Sequence, residues 1–310
     1  MSTNAPAPDR ISGAGLAYAI AAYVLWGILP LAFLLLVPSS AVEIVSWRIV
    51  FSLVFCALLL TVTRGWPRFF GIARDRAAVG WLSLAAAFIL VNWSVFIFAT
   101  VTGHVVEAAL GYFTNPIVTV LLGVIVLRER LRPLQWLAVG ISAIAVLVLA
   151  IGYGSFPWIA LSLAFSFGLY GFVKKKVGPQ ADAIGGLTME TLVLSPLAAV
   201  ALVVVGFTSG LTIGTQEPLH TAVMLSVGAI TAIPLLLFAA AARRLPLVYL
   251  GLVQYVAPIM QFTIGVVLLH EAMPPERWVG FGIVWLALAI LTIDMFLRKP
   301  SSQALASNGT

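Results

Sequence analysis

The chain is a succession of long, uncharged apolar runs, and this feature limits its fold more than any other. A helix needs about 20 mainly apolar residues to cross the hydrocarbon core of a bilayer. Between charged residues and turn-forming clusters, ten such runs occupy residues 14–37, 43–63, 77–101, 103–127, 133–151, 155–173, 184–206, 219–242, 246–269 and 275–297. Hydrophobic residues make up 62% of the chain and charged residues 9%, which excludes a soluble globular protein.

Two boundaries within uncharged stretches depend on turn-forming residues. The cluster Gly152–Pro157 divides the fifth run from the sixth, and Thr102–His104 divides the third from the fourth. Backbone groups in lipid must be satisfied internally, so the runs are helices or strands of a closed barrel. The alternation of polar and apolar residues typical of barrel strands is missing. The sequence therefore predicts an all-α polytopic membrane protein with ten transmembrane helices.

The basic residues predict the orientation. All but two of the 17 Lys and Arg residues lie in segments on one side of the predicted membrane; the exceptions are Arg48, inside the second run, and Arg277. By the positive-inside rule, both termini face the cytoplasm, with residues 1–13 and 298–310 as tails. Because the basic residues are scattered between apolar runs, the net charge of +6 does not indicate nucleic-acid binding.

Six residues recur at a constant offset of 142 positions. The identities pair Pro116, Gly123, Glu129, Pro133, Trp136 and Gly140 with Pro258, Gly265, Glu271, Pro275, Trp278 and Gly282. Each half then holds five helices, and because five is odd, the second half enters the membrane in the opposite orientation. The sequence therefore predicts two inverted repeats, residues 14–152 and 153–297, as in many secondary transporters. Accidental similarity between apolar helices is the alternative.

Ordered motifs along the chain resemble the RarD family, a branch of the EamA-type drug/metabolite transporters. They are Ala21-Ala22-Tyr23, Trp26-Gly27, Glu107–Pro116, Leu163–Phe167, Met189-Glu190-Thr191, Ala239–Arg243 and Gln254-Tyr255. The resemblance covers nearly the whole chain, residues 13–297. It implies a ten-helix carrier of the bacterial inner (plasma) membrane, of a kind described as a chloramphenicol-sensitivity protein or permease, and it alone suggests export. It does not supply a substrate.

Ionisable side chains inside a membrane are costly and therefore mark candidate functional positions. Arg48 lies near the outer end of the second span, and Glu107 opens the fourth span on the same side. We expect the two to approach each other in an outward vestibule, although a helix N-terminus alone also favours a carboxylate at Glu107. Glu190 lies 142 residues after Arg48. We expect it near Lys174 on the cytoplasmic side, in the pathway or in a purely structural pair.

Two further acidic residues are assigned structural positions. Asp294 lies near the end of the last span, four residues before Arg298, so the two can pair along one helix face. Glu43 lies at the outer edge of the second span, where we expect it to remain solvated.

Uncharged polar and aromatic residues within the spans are candidates for the rest of the pathway. They are Trp26, Asn92, Trp93, Tyr112, Asn115, Tyr170, Gln254 and Tyr255. Pro116 and Pro258 are predicted to kink matched helices and expose polar backbone in both halves. A cavity of aromatic and amide groups suits a small amphipathic solute. Ordinary interhelical packing is the alternative for each residue, because Asn and Gln also bridge membrane helices.

Several familiar chemistries lack their sequence signatures. No phosphate-binding GxxxxGK[ST] loop is present, so this chain does not itself pump with ATP, and the isolated His104, His220 and His270 lack metal-site spacing. We predict no cofactor. The sequence predicts a secondary transporter, with proton exchange through Glu107 or Glu190 as the candidate energy source. A membrane-embedded lipid-head-group transferase and a non-transporting membrane partner protein are the alternatives.

Overall fold

The computed structural model describes residues 12–127, 131–152, 156–177, 181–242, 244–245 and 247–296. The regular secondary structure of this part of the chain is helical throughout. Among the described residues, eight helical segments are long and apolar enough to cross a membrane, and two of them, the first and the seventh, join consecutive shorter helices: Gly13–Leu34, Ala41–Val62, Arg76–Val101, Val105–Leu122, Ala183–Thr208, Pro218–Ala242, Tyr249–Leu268 and Pro275–Asp294. The multi-pass membrane architecture predicted from the apolar runs is therefore confirmed.

Thirteen α-helices make up the described part of the chain. In chain order, α1 to α13 are Gly13–Gly27, Leu29–Leu34, Ala41–Val62, Trp66–Arg74, Arg76–Val101, Val105–Leu127, Pro133–Gly152, Trp158–Val177, Ala183–Thr208, Pro218–Ala242, Leu247–Val253, Val256–Thr263 and Pro275–Phe296. The predicted fifth and sixth spans correspond to α7 and α8. The apolar run of α7 is shorter, Pro133–Leu149, and α8 ends in three lysines, so a total of ten spans stays a prediction.

Helix starts recur at the offset of the sequence repeat. Four pairs of helices begin 142 residues apart: α3 and α9 at Ala41 and Ala183, α5 and α10 at Arg76 and Pro218, α6 and α11 at Val105 and Leu247, α7 and α13 at Pro133 and Pro275. The N-caps of α3 and α9 are equivalent as well. The Ser40 hydroxyl accepts from the Glu43 N–H, and the Asp182 carboxylate accepts from the Gly185 N–H.

The described residues divide into two compact units. The first comprises residues up to Asn115 together with Trp158–Ala272, and the second comprises Pro116–Pro157 together with the segment from Met273 onward. In the second unit, α7 packs along α13, with Gly280 against Leu149. The boundary between Asn115 and Pro116 falls inside α6.

Helix pairing in the first unit follows the repeat. Helix α5 packs along α8 as its equivalent α10 packs along α1, and α3 packs on α10 as α9 packs on α5. Helix α3 also packs along its own equivalent, α9. These two run antiparallel, because Glu43 near the start of α3 binds Thr212 beyond the end of α9, while Cys56 lies beside Thr188 near the start of α9.

A close helix approach at Gly228 positions part of the buried polar core. Any Cβ at Gly228 in α10 would collide with the backbone of Phe51 and Ser52 in α3. Glycine therefore lets the two helices meet backbone to backbone. Thr231, one turn further along α10, is thereby brought within reach of Arg48.

The two prolines predicted to make matched kinks have different settings. Helix α6 continues through Pro116, whereas its counterpart is interrupted between Val253 and Val256, just before Pro258. A π-helical turn, Ile264–Leu268, follows directly after α12 in the Pro258 half. Such turns inside helices often mark functional positions. Of the sequence features above, Glu129, Arg243, Arg298, the centre of the Gly152–Pro157 cluster, residues 1–11 and the tail 298–310 lie outside the described residues.

Candidate functional site

Arg48 is buried in the middle of the first unit. The side chain leaves α3 two turns after the Ser40 cap, and the residue is only 4% exposed. The Arg48 Nε donates to the Thr231 hydroxyl at 2.9 Å. Its guanidinium lies over two aromatic rings, 4.3 Å from the Trp93 ring centre and 5.4 Å from that of Phe33.

Arg48 has no acidic partner among the described residues. Within the described part of the chain its Nη1 has no hydrogen-bond partner, and neither does the hydroxyl of Ser52, one turn further along α3 and fully buried. The expectation that Arg48 and Glu107 approach each other is wrong. The Glu107 carboxylate accepts from the Ile159 N–H at the start of α8, at 3.2 Å.

A hydrogen-bonded cluster beside Arg48 joins three helices. The Tyr112 hydroxyl of α6 donates to the Asn92 side-chain oxygen of α5 at 3.1 Å. The Asn92 amide in turn donates to the Leu163 carbonyl and the Ser166 hydroxyl of α8, at 3.3 and 3.2 Å. Asn92 is 2% exposed, so these bonds satisfy an amide that would otherwise be costly to bury.

Aromatic rings connect this cluster to Glu190. From Phe33 the series continues through Phe96, Tyr112, Phe167 and Tyr170, with ring centres 5.6–6.1 Å apart at each step. The Tyr170 hydroxyl then donates to the Glu190 carboxylate at 3.2 Å. A continuous aromatic series therefore joins a buried cation to a buried carboxylate within the first unit.

Glu190 differs from Arg48 in having a charged partner. Lys174 Nζ lies 2.6 Å from the Glu190 Oε1, as expected from the sequence. Glu190 is completely buried, whereas 28% of the Lys174 side chain is exposed. The pair is therefore open to solvent on the lysine side only.

The acidic residues near the predicted outer ends of the helices cap other elements. Both oxygens of Glu271 accept from the first two N–H groups of α6, those of Val105 and Val106, at 2.6 and 2.9 Å. The sequence analysis assigned no role to Glu271, although its recurrence 142 residues after Glu129 had singled out the position. Glu107 lies in the first turn of α6 but binds the N-terminus of α8. A helix N-terminus favours a carboxylate in both cases.

The expectation that Glu43 remains solvated is wrong. Glu43 is 1% exposed, because the segment after α9 covers it and Thr212 donates to its carboxylate through both N–H and hydroxyl. Ser39 bridges the Thr212 hydroxyl and the ring of His220, at 2.6 and 2.8 Å. His220 is buried in this network.

The remaining candidates and Asp294 lie in four separate settings. Trp26 packs with Tyr23 and Phe238, and its carbonyl accepts from Gln261, a buried glutamine that the sequence analysis missed. Gln254 lies just beyond the end of α11 and donates to the Gly251 carbonyl of that helix, at the break where Tyr255 also lies. Asn115 precedes Pro116 at the boundary of the units. Asp294 pairs with Arg132 at 3.6 Å in the second unit.

Known proteins resemble this chain over most of its length. Residues 13–151 match the EamA-like transporter family. "Protein RarD" of Streptomyces exfoliatus is 48% identical over 94% of this chain and 91% of its own length. "Protein RarD" of Escherichia coli K12 is 39% identical (90% and 94%), and "Uncharacterized transporter YojE" of Bacillus subtilis is 38% identical (94% and 97%). A crystal structure at 17% identity shares the fold, with a TM-score of 0.54 over 92% of this chain and 99% of that one.

Proposed function

The chain belongs to the RarD family of EamA-like transporters, and from this premise we propose that it exports a small metabolite, amino-acid-like molecule or drug across the bacterial inner membrane. The observation that carries the proposal is the aromatic series between Arg48 and Glu190, whose rings are buried or partly buried. Its rings and hydroxyls offer weak, repeated contacts to a small amphipathic solute. Such contacts allow a solute to bind and to leave again.

We propose ten spans in two inverted repeats, residues 14–152 and 153–297, with both termini in the cytoplasm. The equal offset of helix starts and the antiparallel packing of the equivalent helices α3 and α9 support this arrangement. In an inverted repeat, rocking of one half against the other exposes a central site to each side in turn. Arg48 then serves the outward-facing end of the pathway and Glu190 the cytoplasmic end.

The residues between these ends have proposed roles in lining the pathway. Asn92 on α5 positions the Tyr112 side chain of α6 by accepting its hydroxyl hydrogen bond. The Trp93 ring packs against the Arg48 guanidinium. Tyr170 orients the Glu190 carboxylate beside Lys174. Trp26, Asn115, Gln254 and Tyr255 are proposed to line other parts of the route, with the helix interruption before Pro258 as a point of movement.

Counterflow in proteoliposomes tests this function. Purified protein, preloaded with unlabelled solute, is given labelled amino acids, sugars or chloramphenicol, and we expect accelerated uptake of one class. Tyr112→Phe keeps the ring but leaves the Asn92 oxygen without its donor, so uptake should fall several-fold. Tyr18→Phe, at a tyrosine on the exposed surface of α1, is the matched control. Equal uptake by both variants would contradict the proposed pathway.

Proton exchange is the proposed energy source, with Glu190 or Glu107 as the carrier. An imposed pH gradient should then drive uptake while potassium and valinomycin clamp the membrane potential at zero. Glu190→Gln or Glu107→Gln should abolish the response to the gradient but leave counterflow of unlabelled against labelled solute. No response in the unmodified protein would remove proton coupling and leave the transporter proposal intact.

A further inference from the structure

We propose that Arg48 binds the carboxylate of the transported molecule, so that the substrates are organic carboxylates with an aromatic or apolar body. The inference rests on the proposed function and names its substrate class. It is carried by a guanidinium that is 96% buried, has an orphan Nη1, and has no acidic partner among the described residues.

A buried cation in this setting is short of partners. Arg48 has one hydrogen bond, to Thr231, and the faces of Trp93 and Phe33. A desolvated cation–π contact is worth about 2 kcal/mol, whereas burying an ion costs several kcal/mol even after relaxation. The rings therefore hold the guanidinium in place without compensating its burial. An arriving anion would supply the missing partner.

The orphan groups match a carboxylate better than other anions. Arginine presents paired N–H groups that fit the two oxygens of a carboxylate side by side. Ser52, one turn from Arg48 on the same helix, adds a buried hydroxyl that has no partner. The guanidinium balances a single negative charge and the hydroxyl can donate a hydrogen bond to it, whereas a doubly charged phosphate would need a second cation.

The surroundings of Arg48 select the body of the substrate. Trp93 and Phe33 flank the guanidinium, and Phe96 continues the aromatic wall toward Tyr112. An aromatic or branched apolar body would pack on these faces. A primary amine at the same position would be repelled by Arg48, and an amide would forfeit the charge pair. The site should therefore separate an acid from its own amide.

Binding to the purified full-length protein in lipid nanodiscs tests the inference. The probes are N-acetyl-phenylalanine, N-acetyl-tryptophan and N-acetyl-leucine, each compared with its own amide by isothermal calorimetry at pH 7.4. We expect at least one acid to bind at least tenfold more tightly than its amide. Equal binding of every acid and its amide, or binding of none of the acids, would overturn the inference.

Variants distinguish a binding role from a structural one. Arg48→Gln should abolish acid binding. Arg48→Lys should keep weak binding, because lysine retains the positive charge but lacks the paired N–H groups of arginine. Ser52→Ala should weaken acid binding several-fold. Arg244→Gln is the matched control, since Arg244 also lies over a ring, that of Tyr18, but on the surface. Melting temperature and gel filtration check that each variant folds. Unchanged acid binding in folded Arg48→Gln would refute the inference.

Counterflow separates this inference from the proposed function. If a neutral solute is transported equally by the unmodified protein and by Arg48→Gln, the transporter proposal stands and the carboxylate role fails. If the acids bind but no solute of any class is exchanged, the binding site stands and the transporter proposal fails.

Discussion

Breaking the Lys174–Glu190 pair from its two sides should have unequal effects on stability. Lys174→Met leaves a carboxylate that is completely buried and retains only the Tyr170 hydroxyl. Glu190→Gln instead leaves a lysine whose side chain is 28% exposed and can extend toward solvent. The lysine substitution should therefore be the more destabilising of the two.

The size of the effect follows from the alternatives open to the stranded carboxylate. Removing one partner of a buried pair costs about 3–5 kcal/mol. The carboxylate can instead take up a proton, which limits the cost of leaving it without its partner. We therefore expect Lys174→Met to lower the free energy of unfolding by about 3–4 kcal/mol, and Glu190→Gln by about 1 kcal/mol, the value of one hydrogen bond.

The pH dependence has a definite sign. Adding the proton costs about 1.4 kcal/mol less for each unit by which the pH falls, so the destabilisation by Lys174→Met should be smaller at pH 5.5 than at pH 7.4. The double variant should resemble Glu190→Gln alone, because no charge is then stranded. Equilibrium unfolding in mixed dodecyl maltoside and SDS micelles, followed by tryptophan fluorescence at both pH values, measures all three variants.

Lys175→Met, at the exposed neighbouring lysine, controls for the loss of positive charge at the end of α8. The reasoning fails if Lys174→Met is no more destabilising than Glu190→Gln, or if its effect does not decrease at pH 5.5.

Three further changes test other parts of the structure. Gly228→Ala should lower the melting temperature and transport, because the added Cβ meets the backbone of Phe51; Gly282→Ala, in open space on α13, should do neither. Arg48→Met should leave the melting temperature unchanged or raised while transport is lost, since it removes a buried cation without an acidic partner. Glu271→Ala removes two charge-assisted bonds at the start of α6 and should cost about 2 kcal/mol of unfolding free energy. Denaturant or thermal unfolding, with counterflow, decides each case.

Apolar length and the repeat made much of the fold predictable. The second and seventh spans were expected to begin at residues 43 and 184, and the helices begin at Ala41 and Ala183. The difference arises because Ser40 and Asp182 cap the helices before the hydrophobic run starts. Hydropathy indicates which residues can lie in lipid, whereas the N-cap residue determines where the helix begins.

The helix on which each charged residue lies was predictable, but the neighbour that its side chain contacts was not. Arg48 and Glu107 were placed at similar depths, yet they bind different neighbours because they leave α3 and α6 toward different helices. Glu43 illustrates a second limit, since the segment after α9 covers it. Glu190 and Lys174 were predicted as neighbours correctly, because both lie at the same end of their helices and carry opposite charges.

The repeat also explains why the two buried charges differ in chemistry. Arg48 and Glu190 occupy equivalent positions on α3 and α9, and the position equivalent to Lys174 is Ala32, next to the Phe33 that contacts Arg48. Glu190 therefore has its counter-ion built into α8, whereas alanine leaves the equivalent place near Arg48 without a charge. A substrate carboxylate would provide for Arg48 what Lys174 provides for Glu190. If the carboxylate proposal is right, the missing charge at Ala32 leaves Arg48 to pair with the substrate, while Glu190 keeps its internal partner.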